Sequence, residues 1–131
     1  MSYKIKCNDC GETTNGGNIV TLLNKHRHPD WLFKCGKCNV GKGCIKKTLN
    51  EQEGTKITVY LVGILKVGGH GNFQPYAFLC AKSCTAEPHA VLFGYYKDLR
   101  TKGGKLKHGH GPGGAPMISF ASLKRLVDEI S

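Results

Sequence analysis

Short apolar runs separated by polar, glycine-containing segments recur along the whole chain. Residues 3–6, 19–23 and 31–34 are short runs of β-branched, aromatic and other apolar side chains, which predicts three short strands. Residues 57–67 form the longest run, and they are apolar at both alternating sets of positions, which indicates a strand covered on both faces. Residues 76–79 and 90–96 predict two more strands, so an antiparallel meander of three strands is the simplest topology for the second half.

The C-terminal segment has the periodicity of an amphipathic helix. Its apolar residues recur at i, i+3, i+4 and i+7, and they are Leu123, Leu126, Val127 and Ile130. Ser119 is a suitable N-cap for this helix. A polar stretch at residues 50–54 predicts a boundary between two units, 1–54 and 55–131. The pattern therefore predicts an α+β fold.

Two C-x-x-C pairs are the most specific motif in the sequence: Cys7 with Cys10, and Cys35 with Cys38. Seven cysteines are an odd number, and the first ten residues lack the pattern of a signal peptide, so a metal site is favoured over a disulfide scaffold. Structural zinc prefers four thiolates in a tetrahedron. Gly11 and Asn39, which follow the two pairs, tolerate the positive φ that such turns need.

The spacing resembles that of the zinc-ribbon superfamily, which includes the ribbons of transcription factors, ribosomal proteins and primases. The resemblance covers residues 3–47 and is carried by Cys7, Cys10, Gly11, Trp31, Phe33, Cys35 and Cys38. It implies an N-terminal β-hairpin with two zinc knuckles, ahead of the small β-meander and the C-terminal helix. Iron in a rubredoxin-like site and a redox-active dithiol are the alternatives for the same four sulfurs.

A second group of residues has ligand chemistry. Cys80 and Cys84 are followed by His89, and His70 from a neighbouring turn would complete a set of four ligands. The alternative is that Cys80 ends a core strand and Cys84 is a buried thiol. Both interpretations stay open, so the expected cofactor is one zinc ion, with a second if this group binds metal.

The formal net charge is +10, which favours a polyanionic partner such as RNA or DNA. Two basic segments provide the candidate contacts. One is the predicted ribbon tip, Lys25, His26, Arg27 and His28, and the other is a glycine-rich loop with Arg100, Lys102, Lys105, Lys107, His108 and His110. Trp31, Tyr95 and Tyr96 are candidates for base stacking, although Trp31 packed over the hairpin is the alternative.

These features favour a zinc-binding protein that binds nucleic acid without catalysis. Four thiolates close the zinc coordination, and the few acidic residues form no evident catalytic pair. A protein–protein adaptor that docks through the ribbon is the second hypothesis. A small ribonuclease is the third, using His70, His89, His108 and His110. No apolar run approaches the roughly 20 residues that span a bilayer, so we expect a cytoplasmic protein without membrane association.

Overall fold

The computed structural model describes residues 3–50, 56–109 and 117–130. Within these ranges, eight strands form one sheet and two segments form α-helices. The strands are β1 (Tyr3–Cys7), β2 (Thr13–Gly17), β3 (Gly43–Asn50), β4 (Lys56–Lys66), β5 (Phe73–Ala81), β6 (Ala90–Asp98), β7 (Leu106–Gly109) and β8 (Met117–Ser119). The helices are α1 (Ile19–Lys25) and α2 (Phe120–Ile130). The predicted α+β class is confirmed.

The described strands pair antiparallel in the order β2-β1-β3-β4-β5-β6-β7, and β8 pairs with the other end of β6. The predicted three-stranded meander corresponds to β4, β5 and β6 and is confirmed. The sheet continues through β3 into the N-terminal half. The boundary predicted at residues 50–54 falls almost wholly in residues 51–55, outside the described residues, so it stays a prediction.

One face of the sheet curls around the principal hydrophobic core. Helix α1 covers this face with Ile19, Leu22 and Leu23, which are fully buried. Tyr3 on β1 and Phe78 on β5 have ring centroids only 5.9 Å apart, although two strands lie between β1 and β5. A flat sheet would separate these strands by about 14 Å, so the sheet must bend over the core.

The strand predicted at residues 19–23 is wrong, because this segment is helix α1. Asn18 caps the helix, with its side-chain oxygen accepting the Thr21 N–H at 3.0 Å. Ile19, Leu22 and Leu23 are spaced so that they share one helical face, which packs into the core. The cap and this burial outweigh the strand preference of the β-branched side chains.

The ribbon hairpin is also corrected. Residues 32–34 form isolated bridges rather than the strand predicted at 31–34. The segment lies along β4: the Phe33 N–H donates to the Val62 carbonyl and the Ile64 N–H donates to the Trp31 carbonyl, both at 2.9 Å. Residues 13–17, where the sequence predicted no strand, form β2. The two cysteine pairs are therefore connected through β2, α1 and the bridged segment, not through two hairpin strands.

The predicted C-terminal helix is confirmed as α2. Ser119 precedes it, and its Oγ accepts the Ser122 N–H at 3.1 Å, which confirms the N-cap. No residue of α2 is buried, and Ile130 is 77% exposed, so the helix contributes little to the described core. In the ranges that the structure describes, no helix has the length and apolar character needed to cross a bilayer.

Candidate metal centre

Four cysteine sulfurs converge beside the end of β1. Cys7 is the last residue of this strand and Cys10 lies in the turn that follows, while Cys35 and Cys38 come from the turn after the bridged segment. All four sulfurs lie within 4.8 Å of one another, with Cys7 and Cys38 at 3.9 Å and Cys10 and Cys35 at 3.6 Å. A tetrahedral zinc ion with Zn–S bonds of about 2.3 Å places its sulfurs about 3.8 Å apart, so the spacing fits zinc.

Backbone N–H groups point at the sulfurs in the same way in both turns. Cys7 Sγ accepts from the N–H groups of Asp9 and Cys10, both at 3.4 Å. In the second turn, Cys35 Sγ accepts from the N–H groups two and three residues later, at 3.3 and 3.4 Å. Hydrogen bonds to the charged form stabilise a thiolate, so each turn is prepared to hold a metal-binding sulfur.

Three residues outside the ligand set shape these turns. Gly11 and Asn39 have positive φ values of 73° and 61°, as the sequence predicted. The motif did not point to Gly41, where a Cβ would collide with Cys7 Sγ and lie 3.1 Å from Cys38 Sγ. The Gly41 N–H also donates to Cys38 Sγ at 3.3 Å. The backbone can pass this close to the sulfurs only because position 41 has no side chain.

Thr14 and His28 hold the second turn in place. The Thr14 hydroxyl is buried, accepts the Gly36 N–H at 3.0 Å and lies 3.9 Å from Cys35 Sγ. His28 Nε2 lies 3.1 Å from the Gly41 carbonyl oxygen, and the same oxygen accepts the Cys35 N–H at 3.1 Å. The sequence predicted no strand at residues 13–17 and so did not point to Thr14, and it assigned His28 to a partner surface.

The metal-free thiols differ widely in proton affinity. The Cys38 N–H, together with other donors, lowers the pKa of Cys35 to about 6. At Cys10 the backbone hydrogen bond with Glu12 favours the thiolate, but desolvation and the neighbouring thiols outweigh it and raise the pKa to about 12. Neighbouring negative charges oppose the ionisation of a thiol. A divalent cation lets all four deprotonate together, and a four-sulfur donor set suits zinc.

The structure does not bring the four predicted ligands of the second zinc site together. Cys84 forms a disulfide with Cys44, at a Cα–Cα distance of 5.3 Å, so its sulfur is not a free ligand. Cys80 is fully buried in the core, where burial raises its pKa to about 11. His70 and His89 are exposed. Among the described residues, only the first four cysteines form a group of at least three side chains at metal-binding distance.

The first basic segment is largely engaged within the protein. Arg27 Nη1 donates to the Ile64 carbonyl at 3.3 Å, and His28 contacts the second cysteine turn. His26 is partly buried, and its pKa is lowered mainly by this burial and, to a smaller extent, by the positive charges of nearby lysines. Lys25, at the end of α1, is exposed. The segment is therefore not the freely exposed tip that the sequence predicted.

The second basic segment lies at the β7 end of the sheet. Its described members are all exposed: Arg100, Lys102, Lys105, Lys107 and His108. Arg100 is paired with Asp98, with 2.8 Å between Nη2 and Oδ2, and this guanidinium holds the pKa of Asp98 at about 2. His110 lies outside the described residues. Four members of this segment thus remain available to a polyanion.

The three aromatic candidates have different surroundings. Tyr96 is buried in the core, so it is not available for stacking. Tyr95 is half-buried, on the opposite face of the sheet. Trp31 is 49% exposed and has a φ of 68°, which is rare for a bulky residue. Tyr95 and Trp31 are therefore the candidates that an external ligand can reach.

Comparison with known proteins identified no relative. No protein-family model matches the chain, and neither a curated protein nor a solved structure matches it. The sulfur cluster therefore supports a metal site, and no family match supports a specific zinc ribbon.

Proposed function

We propose that this protein is a zinc-stabilised protein that binds nucleic acid without catalysis. The four-sulfur cluster carries the zinc part of the proposal, because its sulfur–sulfur distances of 3.6 and 3.9 Å are those of a tetrahedral thiolate site. The protein supplies all four ligands, so a bound ion has no open position for water or substrate. Its role is structural: it joins the end of β1 to the second cysteine turn, in the manner of zinc-ribbon knuckles.

The distribution of charge supports a polyanionic partner. The chain has a formal net charge of +10. In the described ranges, two ion pairs are formed, Lys42 with Asp30 and Arg100 with Asp98, and the other lysines have no carboxylate at ion-pair distance. Unpaired lysines neutralise phosphates and release counterions, which is the main source of sequence-independent affinity for nucleic acid.

Salt dependence tests this proposal. Fluorescence anisotropy with a labelled oligonucleotide should show affinity falling by about a thousandfold between roughly 50 and 200 mM salt if about six phosphates are contacted. Replacing Lys102, Lys105 and Lys107 with Gln should reduce the salt slope by about one per lysine, while Lys4→Gln, on β1, should leave it unchanged. Affinity independent of salt would contradict the proposal. Cleavage of an RNA probe would support the ribonuclease hypothesis instead.

A protein–protein adaptor is the second candidate, because two apolar side chains on the segment that carries the second cysteine pair are exposed. Val40 lies in the second cysteine turn and is 77% exposed, and Trp31 is 49% exposed. A partner captured by this surface should survive nuclease treatment and be lost in Trp31→Ser and Val40→Ser variants. Capture that disappears with nuclease would favour nucleic-acid binding.

A further inference from the structure

A row of aromatic rings lies on the outer face of the sheet. Tyr96 points into the core, so its neighbour Tyr95 points to the other face, and the register of β5 with β6 places Phe73 on that face too. The Phe73 and Tyr95 ring centroids are 5.2 Å apart. His70 extends the row, with its ring 5.8 Å from that of Phe73. We call these three rings the aromatic platform.

The ring of Tyr95 lies over the neighbouring strand β7. Gly109 is directly opposite Tyr95, and a Cβ at position 109 would collide with the end of the tyrosine ring and lie 2.8 Å from its Cε2. The missing side chain therefore makes room for the ring to extend across the strand. Because Tyr95 is only half-buried, part of the ring remains accessible to a flat ligand.

Two lysines lie beside the platform on the same face. Lys97 is directly opposite Phe73, and Lys107 is directly opposite Lys97. Like charges at opposed positions destabilise a sheet, and in the described part of the chain neither lysine has a carboxylate at ion-pair distance. An open cavity of about 450 Å³ lies between His70, Phe73 and Lys97. This arrangement puts unneutralised positive charge next to accessible rings.

We propose that the aromatic platform binds a single strand of nucleic acid, with bases stacked on Phe73 and Tyr95 and phosphates held by Lys97 and Lys107. This inference rests on the nucleic-acid binding proposed above and specifies the form of the nucleic acid. In a duplex the bases are stacked on one another and their faces are closed to the rings. A single strand can turn its bases outward onto aromatic side chains, while lysines follow its backbone.

Three labelled probes of about 12 nucleotides, a length within the usual range of single-strand sites, test the inference. They are an unstructured strand, the same strand as a duplex, and an abasic strand with the same phosphates. Each stacked base contributes about 5- to 150-fold in affinity, so with two stacked bases the unstructured strand should bind at least about 25-fold more tightly than the abasic strand. Tyr95→Ala should reduce this difference by about 5- to 150-fold, the contribution of one base, and leave binding of the abasic strand unchanged.

Control variants separate stacking from charge and from folding. Lys97→Gln with Lys107→Gln should weaken all three probes, and Lys4→Gln should weaken none. Tyr60→Ala replaces another half-buried tyrosine of the outer face, on β4, and should not affect preference for bases. Tyr95→Phe keeps the aromatic ring and should retain the preference for bases. Metal content and thermal unfolding of each variant show whether the fold is kept.

The outcomes separate this inference from the broader proposal. Salt-dependent binding that is equal for the unstructured and abasic strands overturns the aromatic platform but leaves nucleic-acid binding in place. Binding of none of the probes overturns both. Wild-type preference for the unstructured strand, reduced in Tyr95→Ala and kept in Tyr95→Phe, supports the platform. Binding of the duplex as tightly as the unstructured strand overturns the single-strand inference.

Discussion

The substitution Gly41→Ala adds one methyl group next to the metal centre. The added Cβ would collide with Cys7 Sγ, and it would lie 3.0 Å from Asp9 Oδ2 and 3.1 Å from Cys38 Sγ. Ordinary contacts of this kind begin at 3.4 Å, so Cys38 Sγ must move by a few tenths of an ångström and Cys7 Sγ by more. Metal–ligand distances tolerate deviations of only about 0.2 Å, so we expect weaker binding of zinc.

The expected loss of zinc affinity follows from the steric overlap at position 41. Inserting a methyl group into a well-packed site costs about 1–3 kcal/mol, and here the cost falls on the metal-bound state, since metal-free sulfurs are able to move apart. This corresponds to a loss of about 5- to 150-fold in zinc affinity. Gly41 does not have a positive φ, so the substitution adds no left-handed backbone strain to the steric effect.

Competition with a colorimetric zinc chelator measures the affinity, and Gly11→Ala is the matched control. Gly11 follows the first cysteine pair with a φ of 73°, and a Cβ there would have nothing within 4 Å. That variant strains the backbone by about 1–2 kcal/mol without contacting a sulfur. Gly41→Ala should therefore lose more zinc affinity than Gly11→Ala. Zinc affinity equal to wild type in Gly41→Ala would refute the steric reasoning.

Three further predictions concern the disulfide, a buried thiol and an ion pair. Replacing both Cys44 and Cys84 with Ser removes a cross-link that spans 40 residues. Urea denaturation should then show that the free energy of unfolding falls by about 4 kcal/mol, with zinc content unchanged. Stability equal to that of the wild type would contradict this prediction. Cys80 is buried and its pKa is raised to about 11, so peptide mass spectrometry should find it alkylated by iodoacetamide only after unfolding, and rapid labelling of the native protein would be the contrary result. The pKa of Asp98 is held at about 2, below its ordinary 3.8, so its contribution to stability is present above about pH 4 and is lost as the pH falls through about 2. An NMR titration of Arg100→Gln should show a higher pKa for Asp98. An unchanged pKa would exclude the ion pair as the cause of the shift.

Features that depend on neighbours in sequence were predictable. The C-x-x-C turns hold their sulfurs through local backbone geometry, so the spacing alone indicated the four ligands and the positive φ at Gly11 and Asn39. The apolar run around β4 is long and strongly β-branched, which predicted a strand covered on both faces. The i, i+3, i+4, i+7 pattern identified α2.

Features that depend on tertiary contacts were not predictable. Residues 19–23 have the composition of a strand, and the core against which Leu22 packs is what makes a helix more favourable. Cys44 and Cys84 are 40 residues apart, and no local pattern pairs them. Their disulfide is more typical of oxidising compartments, so the cytoplasmic location stays a prediction. The aromatic platform depends on strand register, which the sequence does not specify.

The number of metal ions per chain tests the closed four-sulfur site. Elemental analysis together with native mass spectrometry of the purified protein should find one zinc ion per chain, with Cys7, Cys10, Cys35 and Cys38 protected from alkylation until the metal is removed. The central claim would be contradicted if the protein, purified in zinc-containing buffer, were folded but contained no metal and had the mass of the metal-free chain.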